Sequence, residues 1–265
     1  MEVLIGCDPE VFVTKGGLLT SAHGLVKGTK KAPYKVVGGA VQVDGMALEL
    51  NTDPTSCIIE FQQRVELVLG QLAEMVPDYR LSIQPTADFD PEYLASLPFE
   101  ATELGCDPDY NAYTGKVNPT PDKEVSFRTG AGHIHLGWTE DVDPFDPGHF
   151  EACCLLAQQL DCYLGLPSLL WDKDNRRREL YGQAGAFRPK TYGMEYRVLS
   201  NSWLRDPKLI KFVFARAVLA FRELLFNGVV DSFNGISCNN FPKIMNSNML
   251  GVVERNTSDG WLAHV

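Results

Sequence analysis

The chain has 265 residues, 45% of them hydrophobic, and a formal net charge of -10, enough to bury a sizeable core as one large domain or two small ones. That acidity argues against nucleic acid as a partner, although a locally basic cleft can still hold a nucleotide inside an acidic protein. Seven cysteines, an odd number without CxxC spacing and mostly among apolar neighbours, read as reduced core thiols in a cytoplasm rather than as a disulfide framework.

In chain order, the opening MEVLIGCDPE has no basic leader and only a very short apolar run before acid appears. Neither a signal peptide nor a membrane anchor is expected, and the expected setting is soluble and cytoplasmic. Val3, Ile5, Val11 and Val13 alternate with other side chains around the turn-prone Cys7-Asp8-Pro9, which predicts a strand pair or one bent strand over residues 2–14. Val37, Val41 and Val43 lead to Asp44-Gly45, a hairpin signal, and Ala47 to Asn51 return as a second strand. A helix follows, with Thr52 or Asp53 as its cap and Pro54 in its first turn. Ile58, Phe61, Val65, Val68, Leu69, Leu72 and Val76 recur at helical spacing, and Pro77 ends it.

From 80 to 127 the pattern weakens to a short strand, a short acidic helix near Pro91 and a Pro/Gly/Asn-rich stretch between Cys106 and Asp122, read as a long surface loop. Strands return at Val125 to Arg128 and Ile134 to Trp138, about a flexible Gly130-Ala131-Gly132. Helices at about 146–164 and 207–226 flank a segment dense in Gly, Arg and Tyr, Arg176 to Leu199. With no repeat and no linker, strands interspersed irregularly with helices predict a single α+β domain over residues 1–265.

Chemistry-bearing residues recur at alternate strand positions. Asp8 and Glu10 would face the same way and could share hard cations such as magnesium or manganese. Taken alone the pair reads better as a solvated, Asp-capped turn, and only its apolar flanks, Leu4-Ile5 and Val11-Phe12-Val13, weigh against that. Glu49 lies between Leu48 and Leu50: facing a core it needs a cation or a donor, but if the leucines face inward it is ordinary surface. Glu60 raises the same question from a helix, where the solvent boundary is the simpler place for it.

His133 and His135 point one way after the glycine-rich turn, which suits metal ligation, or a metal ligand beside a phosphate contact, as well as a hydrogen-bonded core pair. His23, His149 and His264 show no matching spacing, so mixed histidine and carboxylate ligation of magnesium or manganese is expected over zinc. The segment YGQAGAFRPKTYGMEYR carries Arg188, Lys190, Glu195 and Arg197. These suit an anionic substrate with developing phosphoryl charge, or equally a salt-bridged strand in which Glu195 neutralises an arginine. Arg128 is a further phosphate candidate, whereas Arg176, Arg177 and Arg178 could equally be a solvated basic turn. There is no P-loop, no GxGxxG after a strand and no GxSxG elbow, and the cysteines lack a general-base context.

Read in order, DPE, DGMALELN, GAGHIHLGW and FRPKTYGMEYR resemble the phage-associated carboxylate-amine ligases of type 2, within the broad glutamine synthetase and glutamate-cysteine ligase superfamily, over nearly the whole chain. The resemblance implies a glutamine synthetase-like curved, mainly antiparallel sheet with helices on its convex side. Two or three divalent ions would lie on the concave face, with ATP entering from one end and the acceptor carboxylate from the other.

By the same match, Asp8 and Glu10 split their carboxylates between neighbouring metals, with Asp8 replacing the more usual Glu. Glu49 resembles a ligand of the metal shared with Glu10, and Asp44 and Glu60 compete as its second acidic partner. His133 and Glu195 resemble ligands of the metal that bridges the nucleotide phosphates, and His135 would lie near the nucleotide. Arg188 and Arg197 resemble the arginines that steady the transferring phosphoryl group, with Arg128 or Lys190 assisting.

The implied reaction is that of an ATP-dependent amidoligase. A small-molecule or peptide carboxylate attacks the γ-phosphate of ATP, and an amine displaces phosphate from the acyl phosphate. If the chain is phage-encoded, its setting is the host cytoplasm. Two other readings stay open: a metal-dependent hydrolase using His133 and His135 with Asp8 or Glu10, and a noncatalytic protein of the same fold that binds a nucleotide or a peptide.

Overall fold

In a computed structural model of the chain, which describes residues 2–102, 109–119, 125–233 and 235–256, the first strand signal resolves into β1 (Leu4–Cys7) and β2 (Glu10–Lys15). The break falls at Asp8-Pro9, because proline has no amide hydrogen to give a ladder and restricts the residue before it. The two strands do not pair with each other; they enter different sheets.

β3 (Leu18–Thr20) and β4 (Tyr34–Val36) come next, then the expected hairpin of β5 (Gly39–Asp44) and β6 (Ala47–Thr52), in which Asp44 pairs with Ala47. The helix after it, α1 (Ile58–Met75), starts later than its sequence signals suggest. Thr52 is still strand and its hydroxyl accepts from the Cys7 amide, so neither it nor Asp53 is the cap. Cys57 holds that position without a side-chain bond, and Pro54 lies ahead of the first turn.

β7 (Arg80–Ser82), β8 (Thr86–Asp88), α2 (Pro91–Ser96) and α3 (Phe99–Thr102) follow, α2 capped by the Asp90 carboxylate. Part of the expected long loop lies outside the described residues, as do Cys106 and His264. The described part is not all loop: β9 (Tyr110–Asn111) and β10 (Lys116–Val117) pair as a hairpin that extends a sheet. β11 (Phe127–Thr129) and β12 (Ile134–Gly137) are the strands about the glycines, but β11 joins β8 in a separate ladder. α4 (Pro147–Leu160) runs through a π-helical turn at Asp161–Gly165 into α5 (Leu166–Ser168). α6 (Arg176–Leu180), the hairpin β13 (Ala186–Lys190) and β14 (Gly193–Tyr196), and the long α7 (Pro207–Asn227) complete the main elements.

Among the described residues two six-stranded antiparallel sheets result, beside two short two-stranded ladders. One runs β1-β12-β14-β13-β9-β10 and the other β3-β2-β6-β5-β4, with β7 also on β2. The strands thus form two ladders spliced at Asp8-Pro9-Glu10, where the Glu10 amide donates to the Ala131 carbonyl (2.8 Å) and the Leu50 amide to that of Pro9 (3.1 Å).

Each sheet is apolar on one face. Ile134, Leu136, Phe187, Met194 and Tyr196 of the first, and Val11, Val41, Leu48 and Leu50 of the second, are fully buried. Helix α1 lays Phe61, Val65, Val68 and Leu72 toward β5 and β6, α4 packs on β13 and β14, and α7 packs on both helices. One contiguous core takes in both sheets and all three helices, and each large apolar side chain removed from water there contributes about 1.5–3 kcal/mol. With the apolar positions committed to the helices, the period of two drives the intervening side chains to the opposite face. No helix among the described residues is long and apolar enough to cross a membrane.

Candidate functional site

On the polar face of the first sheet, register alone assembles a row: Gly6 stands opposite His135, His135 opposite Glu195, and Glu195 opposite Arg188. Directly opposed residues have Cβ atoms about 5 Å apart. Glu195, 1% exposed, is the centre of this row. Its Oε1 meets the Arg197 guanidinium and lies 3.2 Å from His133 Nδ1, while its Oε2 lies 3.2 Å from Arg188 and 3.0 Å from Lys190 Nζ. Arg197 also donates through Nε to Asp109 (3.1 Å). Asp8, just beyond β1, brings Oδ1 to 3.0 Å from His135 Nε2 and 3.5 Å from His133 Nδ1. The Tyr192 hydroxyl hydrogen-bonds the other His135 nitrogen, Nδ1.

The second sheet uses the same device with one sign of charge. Glu10 stands directly opposite Glu49, and Glu49 opposite Gln42. Asp44, two residues past Gln42, shares their face. Oxygens of Glu10, Asp44 and Glu49 lie within 4.8 Å of one another, as do ligand atoms of Asp8, His135 and Glu195. The Ala131 backbone amide donates to Glu10 (2.9 Å), the Asn51 side-chain Nδ2 to Glu49 (3.3 Å), and Lys30 Nζ pairs with Asp44 (2.8 Å). Like charges set opposite on a ladder are destabilising.

The titration of the two groups differs accordingly. Burial, reinforced by Asp44, pushes the Glu10 carboxyl up to about 7. Burial, with the charges of Asp8, Glu10 and Asp44, holds Glu49 well above the carboxylate range. Burial acts the same way on Glu195, but Arg197 overrides it and keeps that carboxylate ionised. Asp8 is likewise pulled below its ordinary value, burial being outweighed by His135 and His133. Burial and then Arg197 push His133 down to about 4, which leaves its imidazole neutral and able to ligate.

The donors fit a hard divalent cation. Asp8 Oδ1 and His135 Nε2 are buried and face each other at 3.0 Å, with His133 Nδ1 3.5 Å from the same oxygen. A set of carboxylates with imidazole nitrogen suits magnesium or manganese.

Several sequence readings are refined. Leu48 and Leu50 are buried, yet Glu49 is only 7% exposed, because β6 is covered on both faces. Asp44, not Glu60, adjoins Glu49; Glu60, in the first turn of α1, accepts from Thr55 (2.6 Å) and Arg64 (3.2 Å). Arg128 gives its guanidinium to the carbonyls of Val125, Phe127 and Thr102, and none of these bonds reaches either group. Arg177 and Arg178 are not a solvated turn: they are 2% and 3% exposed, and Arg177 donates to the carbonyls of Arg197 and Val198. The glycine segment is a close contact, not a flexible link. A Cβ on Gly132 would sit 2.1 Å from the Ser200 carbonyl oxygen.

Asp109, Asn51, Gln42, Lys30 and Tyr192 escaped the sequence reading. Gln42, Asn51 and Tyr192 had a signal, being two residues from Asp44, Glu49 and Lys190; Asp109 and Lys30 had none. Beside His135 a cleft of about 780 Å³ opens, walled by Leu4, Pro54, Trp138 and Tyr192, and a smaller cavity of about 360 Å³ opens on Asp44.

Residues 120–227 match the model of a family described as Phage phiEco32-like COOH.NH2 ligase-type 2. The match bears out the resemblance over the span that holds His133, His135, Arg188, Lys190, Glu195 and Arg197. Asp8, Glu10, Asp44 and Glu49 lie outside it. No curated protein matches the chain.

Proposed function

We propose that the chain is an ATP-dependent carboxylate-amine ligase, one glutamine synthetase-like catalytic domain over residues 1–265, working in a cytoplasm. The observation that carries this reading is the splice at Asp8-Pro9-Glu10. One dipeptide step gives Asp8 to the histidines and Glu195, and Glu10 to Asp44 and Glu49. Two neighbouring cation positions linked through a single short segment are what a triphosphate and a carboxylate need in order to meet.

Glu10, Asp44 and Glu49 would hold one divalent ion, and Asp8, His133, His135 and Glu195 the other. Such ions, Mg²⁺ or Mn²⁺, neutralise triphosphate charge and polarise the phosphoryl oxygens. Arg188, Lys190 and Arg197 converge on Glu195 and offer fixed positive charge to the transferring phosphoryl group. The apolar walls Leu4, Pro54 and Trp138 receive the nucleotide and exclude water, and Tyr192 fixes the orientation of His135. The substrate carboxylate attacks the γ-phosphate to give an acyl phosphate and ADP, and an amine then expels phosphate. No covalent bond to the enzyme is formed.

The test is ADP release from Mg²⁺-ATP with mixed amino acids and amines. ADP formation that requires both a carboxylate and an amine supports ligation. Product release without ATP indicates hydrolysis, and no turnover indicates a binding protein.

A further inference from the structure

The 360 Å³ cavity on Asp44 and the 780 Å³ cleft at His135 share no lining residue, and each touches a different group of ionisable side chains. The smaller opens on Asp44 of the Glu10, Asp44 and Glu49 group, which makes it the candidate place for the second substrate. Of the residues lining it, Lys30 is the one lysine or arginine, with Asp44, Glu100 and His23 around it.

Lys30 is held in place by its segment. The Val43 amide donates to the Gly28 carbonyl (3.0 Å), and Thr29 and Ala32 exchange backbone bonds at 3.1 and 3.0 Å, closing a tight turn with Lys30 at its tip. Gly28 permits this close approach, since a Cβ there would lie 1.9 Å from the Val41 carbonyl oxygen. The ammonium is thus presented to Asp44 at 2.8 Å with its side chain still half exposed. Exposed pairs of this kind are weak and easily exchanged. A divalent ion shared by Glu10, Asp44 and Glu49 brings twice the charge to three carboxylates and competes directly with Lys30 for Asp44.

We propose that Lys30 is the carboxylate anchor of this cavity: cation binding at Glu10, Asp44 and Glu49 transfers its ammonium from Asp44 to the carboxylate of a small acid substrate. The inference rests on the ligase reading for the presence of the cation. It makes metal loading a precondition for holding the acid, because until then Lys30 is engaged with Asp44.

The experiment is Mn²⁺ titration followed by electron paramagnetic resonance, then acetate titration of the Mn²⁺-loaded protein followed by water-proton relaxation. Lys30→Gln is expected to bind Mn²⁺ roughly twofold to fivefold more tightly than wild type, the value of losing an exposed competing pair. It is expected to bind acetate about tenfold more weakly, as for the loss of one charge-assisted bond; Lys30→Arg should restore acetate binding. Unchanged or weaker Mn²⁺ binding in Lys30→Gln, or acetate binding that is absent in wild type or equal in both, overturns the proposal while leaving the metal site standing. Failure of the wild type to bind Mn²⁺ at all removes the ligase reading as well.

Discussion

Around Glu195, two arginines, a lysine and a neutral imidazole crowd one buried carboxylate, whereas around Glu49 three carboxylates face one half-exposed lysine. Both arrangements come from the same register rule on antiparallel strands, and they are balanced oppositely. In the Glu195 group, Arg188, Lys190 and Arg197 already compensate the buried carboxylate. The Glu49 group is short of positive charge, so it should depend more on added metal and the Glu195 group more on its own arginines.

The sharpest break of this contrast is Glu49→Gln. Removing one of the three proposed cation ligands is expected to abolish Mn²⁺ binding there and to lower ADP formation at least about a thousandfold, with the circular dichroism spectrum unchanged. Retained wild-type turnover would remove Glu49 from the site.

Next in size is Arg197→Ala, which takes the closest cation from a carboxylate that is 1% exposed. Leaving a buried charge under-compensated should cost about 3 kcal/mol in urea unfolding; a loss below about 1 kcal/mol would show that Arg188 and Lys190 suffice.

Glu10 tests the opposite sign. Its carboxyl sits at about 7 in the folded chain against an ordinary 4.5, so between those values the folded state binds more protons than the unfolded one. Metal-free protein therefore loses stability as pH rises from about 4.5 through 7. Glu10→Gln should be more stable than wild type by about 1–3 kcal/mol at pH 8 in chelator. The gain should vanish at pH 4 and be offset by excess Mg²⁺; equal stability at pH 8 would contradict the deficit.

Tyr192→Phe is the smallest change. It removes the hydroxyl that orients His135 and should weaken metal affinity about tenfold, the lower end for such supporting bonds, with little change in unfolding.

Much of this contrast was written into alternation. Asp8 with Glu10, and His133 with His135, could be paired from the period of two, and the order of DPE, DGMALELN, GAGHIHLGW and FRPKTYGMEYR carried the family resemblance. What alternation could not say is which face a strand commits. Glu49 between two leucines was undecided because both faces of β6 are covered. Nor could local pattern show that Asp8 and Glu10 serve different groups, since that depends on Pro9 sending the chain from one sheet to the other.

The sequence by itself determined the strand and helix periods, the breaks at proline and glycine, and the stock of carboxylates, imidazoles and guanidiniums, because these are properties of neighbouring residues. Only the tertiary structure decided that Asp44 rather than Glu60 joins Glu49, that Lys30 reaches Asp44, that Asp109 holds Arg197, and that Arg177 is buried beneath it. Those contacts join residues with no fixed spacing, and the pairing of distant strands and the packing of loops upon them set which charges share a low-dielectric space.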